Sequence, residues 1–146
     1  MSGAFTSAGT KLYTAATLPT TYTKAGFDAV NWIEIGEITN IGEFGRSYNV
    51  VTHNPLSDRR TIKRKGSYND GDPVFDMARV PSDAGQTILV AARDSDNSYP
   101  FKIVLQTGAL IYFSAQVMSY TTNIGSVDQI TAASVTVGID NDIIEG

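Results

Sequence analysis

The last third of the chain alternates apolar and polar residues, and this pattern limits the possible folds more than any other feature of the sequence. Ala133, Val135, Val137 and Ile139 fall on one side of a strand, Ser134, Thr136 and Gly138 on the other. A pleated strand with one buried face satisfies both sets at once. Phe101, Ile103 and Leu105 repeat the alternation, Thr107-Gly108 turns the chain, and Leu110–Met118 continues it. Upstream, Thr10–Ala16, Trp32–Ile38, Tyr48–Thr52 and Val74–Val80 read as further strands. Within Trp32–Ile38, Ile33 and Ile35 share one face, Trp32 and Glu34 the other, and Gly36 predicts a bulge before Glu37 and Ile38. One helix is expected over residues 82–95, with Ser82 as N-cap, Asp83 favourable to the dipole, and Ala84, Ile88 and Ala91 or Ala92 at helical spacing. Many short strands with one flanking helix predict a mainly β fold, a β-sandwich or barrel, and 146 residues suit a single domain.

Most catalytic chemistry lacks residues to perform it. The sequence has no cysteine, so thiolate metal sites and disulfides are excluded, and its one histidine, His53, is followed by Asn54-Pro55 in a long segment expected to be loop. Asp94-Ser95-Asp96-Asn97-Ser98 begins like a calcium loop, but the sixth position is Tyr99 and the twelfth is Gln106, where Gly and Glu are needed. Glu34 and Glu37 are paired carboxylates with no cleft or partner to make them an acid and a base. No phosphate loop, dinucleotide fingerprint or nucleophile elbow occurs, so no cofactor is expected. The longest apolar stretches, Ile88–Ala92 and Ala109–Phe113, have five residues each and cannot cross a bilayer, and the first residues do not read as a secretory signal.

Charge is segregated. Arg59, Arg60, Lys63, Arg64 and Lys65 fall within seven residues that contain no acid, leaving six bases against fifteen acids elsewhere, a net −9. These five lie in a segment, residues 42–73, rich in Gly, Asn and Pro and closed by the turn signal Asn69-Asp70-Gly71-Asp72-Pro73. A loop or extended hairpin of this length is usually functional. The cations could grip phosphates while Tyr48 and Tyr68 stack on bases, as in a single-stranded nucleic-acid-binding β-barrel. The acidic body favours the other reading, docking on an acidic protein surface.

Several segments, taken in order, resemble the major tail tube proteins of long-tailed bacteriophages with non-contractile tails. They are Phe27-Asp-Ala-Val-Asn-Trp32, Ile35-Gly-Glu-Ile-Thr-Asn-Ile-Gly-Glu-Phe-Gly45, Asn54-Pro-Leu, and Thr61-Ile-Lys-Arg-Lys-Gly-Ser-Tyr-Asn-Asp-Gly71, followed by Asp83-Ala-Gly-Gln86, Tyr112-Phe113 and Gly125-Ser-Val-Asp-Gln-Ile130. The resemblance runs from about residue 20 onward. It implies a structural virion protein whose copies form hexameric rings, joined through their inner sheets into a barrel and stacked into a tube that carries DNA from the capsid. It also implies tape measure, tail tip and tail terminator proteins as partners, assembly in the host cytoplasm, and no binding to membrane. Some relatives carry a C-terminal immunoglobulin-like domain, which is not expected here.

Six subunits at −4 give a ring at −24, and an acidic wall keeps a duplex moving where a cationic one would hold it. The five cations are therefore expected away from the bore, against acids of a neighbouring subunit or ring. Residues 1–20 are expected to act as an arm making apolar contacts through Phe5 and Tyr13. Glu34 and Glu37 are the candidates for lumen-facing acids. A capsid or tail adaptor, forming one closed ring, shares the β-rich composition and is the remaining alternative.

Overall fold

The computed structural model describes residues 4, 6–57 and 59–145. Among these the chain forms, in order, β1 (Lys11–Thr14), α1 (Lys24–Asp28), β2 (Ile33–Ile35), β3 (Ile38–Asn40), β4 (Ser47–His53), β5 (Ile62–Asn69), β6 (Val74–Ala78), α2 (Ala84–Arg93), β7 (Tyr99–Val104), β8 (Leu110–Asn123), β9 (Ala132–Ile139) and β10 (Ile144–Glu145). Eight strands make one antiparallel sheet in the order β2-β1-β7-β8-β9-β6-β3, with β10 also beside β8, while β4 and β5 pair only with each other. The outermost strands, β2 and β3, are separated in sequence by Gly36 and Glu37 alone. Three backbone steps span at most about 11 Å, so the end of β2 and the start of β3 lie close together and the sheet curls round, although the two strands do not pair.

The interior is the face that alternation marks. Ala133, Val135, Val137 and Ile139 of β9 are buried with Phe75, Met77, Phe101, Ile103 and Phe113. Ser134 and Thr136 stay half-buried on the other side. The long strand β8 changes register between Val117 and Ser119, a bulge that brings Tyr120 back to the core face.

The helix differs from expectation in its start and in its buried stripe. Asp83, not Ser82, is the N-cap: its carboxylate accepts from Gln86 N at 3.0 Å and from Gly36 N at 3.2 Å, so one group serves the helix and the β2–β3 turn together. The buried residues are Gly85, Gln86, Leu89 and Ala92, and Ala84 and Ala91 are exposed. Gln86 causes the rotation. Its amide nitrogen donates to Gly36 O and Ala78 O, and its oxygen accepts from Val80 N and the Tyr120 hydroxyl, a fully satisfied buried amide that sets which side of the helix faces inward. At Gly85 a Cβ would lie 2.6 Å from Glu34 O, so the helix reaches β2 this closely only with glycine there.

Three further expectations are corrected. The strand expected over Trp32–Ile38 is split, because Glu37 takes a left-handed φ of 60° and ends the pleat. Gly36 instead makes room for the Asp83 carboxylate, 2.8 Å from where its Cβ would stand. A second helix, α1, joins the one expected. Thr23 caps it, and Phe27 stacks on Tyr112 with ring centroids 5.3 Å apart and on Trp32 at 6.5 Å. Trp32 Nε1 donates to Phe27 O, and the Tyr112 hydroxyl donates to Asp28.

Candidate functional site

Among the described residues no group of acids and histidines is placed to hold a metal ion, and no helix is long and apolar enough to cross a membrane. The distinctive surfaces are a projecting hairpin and an open-edged part of the sheet.

β4 and β5 continue the β3–β6 ladder past the end of the sheet. Ile38 pairs with Met77, Gly45 N donates to Asp70 O, Ser47 pairs with Asn69, and the ladder closes at His53 with Ile62. All seven residues of β4 are exposed, so the ribbon extends roughly 23 Å beyond the body with neither face covered. Its base is fastened by Arg46, which donates to Asp70 at 3.0 Å and to Asp142 at 2.6 Å. The hydrogen bonds that Arg46 donates, first to Asp70 and then to the Tyr48 oxygen, raise its pKa above the ordinary value.

The ribbon distributes the basic run. Directly paired residues share a face, so Val50 with Lys65 and Thr52 with Lys63 lie on one side, while Val51 with Arg64 and His53 with Ile62 lie on the other. Lys63 and Lys65 therefore point away from Arg64, and Arg59 and Arg60 occupy the connecting turn. A change of register between Tyr48 and Val50 keeps Tyr48 and Tyr68 opposite each other, with ring centroids 5.4 Å apart. Lys65 Nζ lies 4.6 Å from the Tyr48 ring and Arg46 Cζ 4.1 Å from that of Tyr68.

The other expected site residues are scattered. Phe5 lies outside the described residues. Tyr13, expected in an ordering arm, sits in β1 between β2 and β7, half-buried under Lys102 Nζ at 4.4 Å. Burial lowers the Lys102 pKa, with Asp28 opposing the shift. Glu34 is exposed on β2 opposite Tyr13, and Glu37 is exposed in the turn before β3, so the two do not share a strand. Sequence reasoning passed over the exposed aliphatics Val50, Val51, Leu56, Ile124, Val127 and Ile130. The adjacent pair Val50-Val51 was a usable signal, because pleating puts the two aliphatics on opposite faces and a strand with one buried face can cover only one of them.

The open-edged region comprises β3, β6, β9 and the second half of β8. β7 stops pairing at Ala115, so from Gln116 to Asn123 β8 has β9 on one side and no other strand among the described residues. At the opposite margin β3 pairs only with β6. The core-averted face carries Gln116, Ser134, Thr136 and Gly138, and Ser134 donates to Asp76 at 2.7 Å. These four stretches contain no Lys or Arg, and Asp76 is their one charged residue.

The fold is similar to that of a chain in the cryo-EM structure of the anti-feeding prophage baseplate, 6-fold symmetrised (TM-score 0.76, 14% identity, covering 100% of this chain and 97% of that one). It is also similar to a chain in the sheath/tube terminator of an extracellular contractile injection system, in the extended state (0.69, 10%, 100% and 99%). A third likeness is to the tail tube of SPP1 (0.68, 14%, 94% and 76%). No curated protein matches the sequence. The model of the lambda phage tail tube protein family matches residues 11–142, nearly the whole chain. The chain therefore belongs to the lambda phage tail tube protein family, whose members are structural proteins of the phage tail and not enzymes.

Proposed function

We propose that copies of this chain close side by side into hexameric rings, and that the rings stack into a hollow tube through which phage DNA passes into the host. The observation that carries this reading is the four-stranded stretch β3–β6–β9–β8 with an unpaired edge on each side. Exposed edges are a liability in a soluble sheet, and joining the β3 edge of one copy to the β8 edge of the next removes both around a closed ring. Six copies accord with the symmetry of the anti-feeding prophage baseplate. The core-averted face of this stretch, hydroxyl-rich and free of cations, would form the bore, where a duplex meets nothing that binds it through counterion release. Glu37 borders this face and Glu34 lies beyond it on β2.

In this reading the hairpin lays its cations on a neighbouring ring. A tape measure protein would set tube length, tip and terminator proteins would meet its ends, and assembly would take place in the bacterial cytoplasm. The test is electron microscopy of purified protein beside the double variant Arg64→Glu, Lys65→Glu. Wild-type tubes are expected, with a variant that melts normally but does not polymerise; normal tubes from the variant would overturn the hairpin's role, and solitary wild-type subunits at high concentration would overturn the tube itself. Single-stranded nucleic-acid binding is less well supported, because Arg46 and Lys65 already cover the two tyrosine rings that bases would need.

A further inference from the structure

Most large apolar side chains exposed among the described residues gather at opposite ends of the β3–β6–β9–β8 stretch. One group is the hairpin, with Tyr48, Val50, Val51, Leu56 and Tyr68. The other is the β8–β9 connection, where Ile124, Val127 and Ile130 are 69%, 97% and 80% exposed. Register sets the ends apart. Ile139 N donates to Gly71 O beside the hairpin base, whereas Asn123 and Ala78 both pair with Ala132 at the far end. The eight residues of β9 separate them by about 25 Å.

The β8–β9 connection is a preformed tip. Gly125 takes a positive φ of 68°, Ser126 N donates to the Gln129 side-chain oxygen at 3.1 Å, and Gln129 N donates back to Ser126 O at 3.0 Å. That turn sets Val127 and Asp128 at its apex. Glu37 is also exposed at this end, its carbonyl accepting from Ala78 N. The nearby base, Arg79, donates to Thr122 and lies over the Tyr120 ring. One end thus offers an aliphatic group beside an acid. The other offers an aliphatic group opposite a base, twice over: Val50 with Lys65, and Val51 with Arg64.

We infer that the β8–β9 tip of one copy seats on the β4–β5 hairpin of a second copy in the next ring, with Val127 against Val50 or Val51 and Asp128 toward Lys65 or Arg64. This rests on the reading that rings stack, and adds which surface receives the hairpin. The contact joins two different patches of one chain, so it repeats head to tail without closing, as a tube of undefined length requires. It covers the exposed apolar groups at both ends.

The natural chain has no cysteine, so single introduced thiols report contacts directly. Mixtures of Val127→Cys protein with Val50→Cys or with Val51→Cys protein, polymerised and oxidised, are expected to yield disulfide-linked dimers in at least one pairing. Met118→Cys, exposed on the middle of the sheet, should give none with either hairpin thiol. Asp128→Lys and Lys65→Glu should each raise the concentration needed for polymerisation about two- to fivefold, and together should restore it. Tubes that form without a tip–hairpin disulfide, or with equal linkage to Met118→Cys, overturn the pairing and leave the tube reading standing. Absence of tubes from unmodified protein overturns the tube reading and the pairing with it.

Discussion

The β4–β5 hairpin and the β6–β9 pair are both antiparallel two-strand ladders, yet they stand in opposite environments. In β9, Ala133, Val135, Val137 and Ile139 are buried and intervening residues face away. In β4 all seven residues are exposed. Both stretches hold strand-forming aliphatics, but only β9 separates them by polar residues, so only β9 can bury one face in the core. The hairpin places Val50 and Val51 on opposite faces and a base opposite each. Two strands with no sheet beneath them are marginal in water. The body is stabilised within one copy, whereas under the proposed stacking the hairpin gains the cover for its exposed faces from a neighbouring copy.

That contrast sets the order of expected effects. Phe113→Ala, in the centre of the buried aromatic group, should destabilise the subunit by about 3–5 kcal/mol, read as a large drop in Tm; a drop no greater than that of a surface change would mean the sheet is not packed as described. Tyr112→Phe retains the stack on Phe27 but removes the hydrogen bond to Asp28, a loss of about 1 kcal/mol at neutral pH. Burial, then Asp28, raises the Tyr112 pKa, while the Tyr112 hydrogen bond leads the lowering at Asp28. The folded state therefore favours the neutral phenol, and this contribution is full below about pH 10 and fades as pH rises above it. The deficit of the variant should shrink in alkali, and a constant deficit from pH 8 to 11 would place the hydroxyl elsewhere. Smallest of all, Val51→Ser should change subunit stability by less than about 0.5 kcal/mol while impairing tube formation. A clear fall in Tm would mean that the hairpin already packs on its own subunit.

Legibility followed locality. The core face of β9, the turn at Thr107-Gly108 and the projecting segment around the basic run were all readable, because each depends on residues a few positions apart. The start of α2 was misplaced by one residue because the contact that sets it, Asp83 to Gly36 N, spans 47 positions. The aromatic cluster that fastens α1 was equally invisible, since Phe27 and Tyr112 lie 85 positions apart in the sequence. The cationic run looked like one stripe, and strand pleating divides Arg64 from Lys63 and Lys65.

Composition and periodicity alone pointed to a β-rich chain with one clearly alternating core, and to five of its eleven bases concentrated within seven residues. These properties are carried by residue type and near-neighbour spacing, and survive any arrangement of the elements. Which strand edges stay unpaired, which end of the sheet carries the hairpin and which the Val127-Asp128 tip depend on pairings between distant segments. Those pairings are chosen by the burial of the whole core, so they exist only once the sheet has assembled around it.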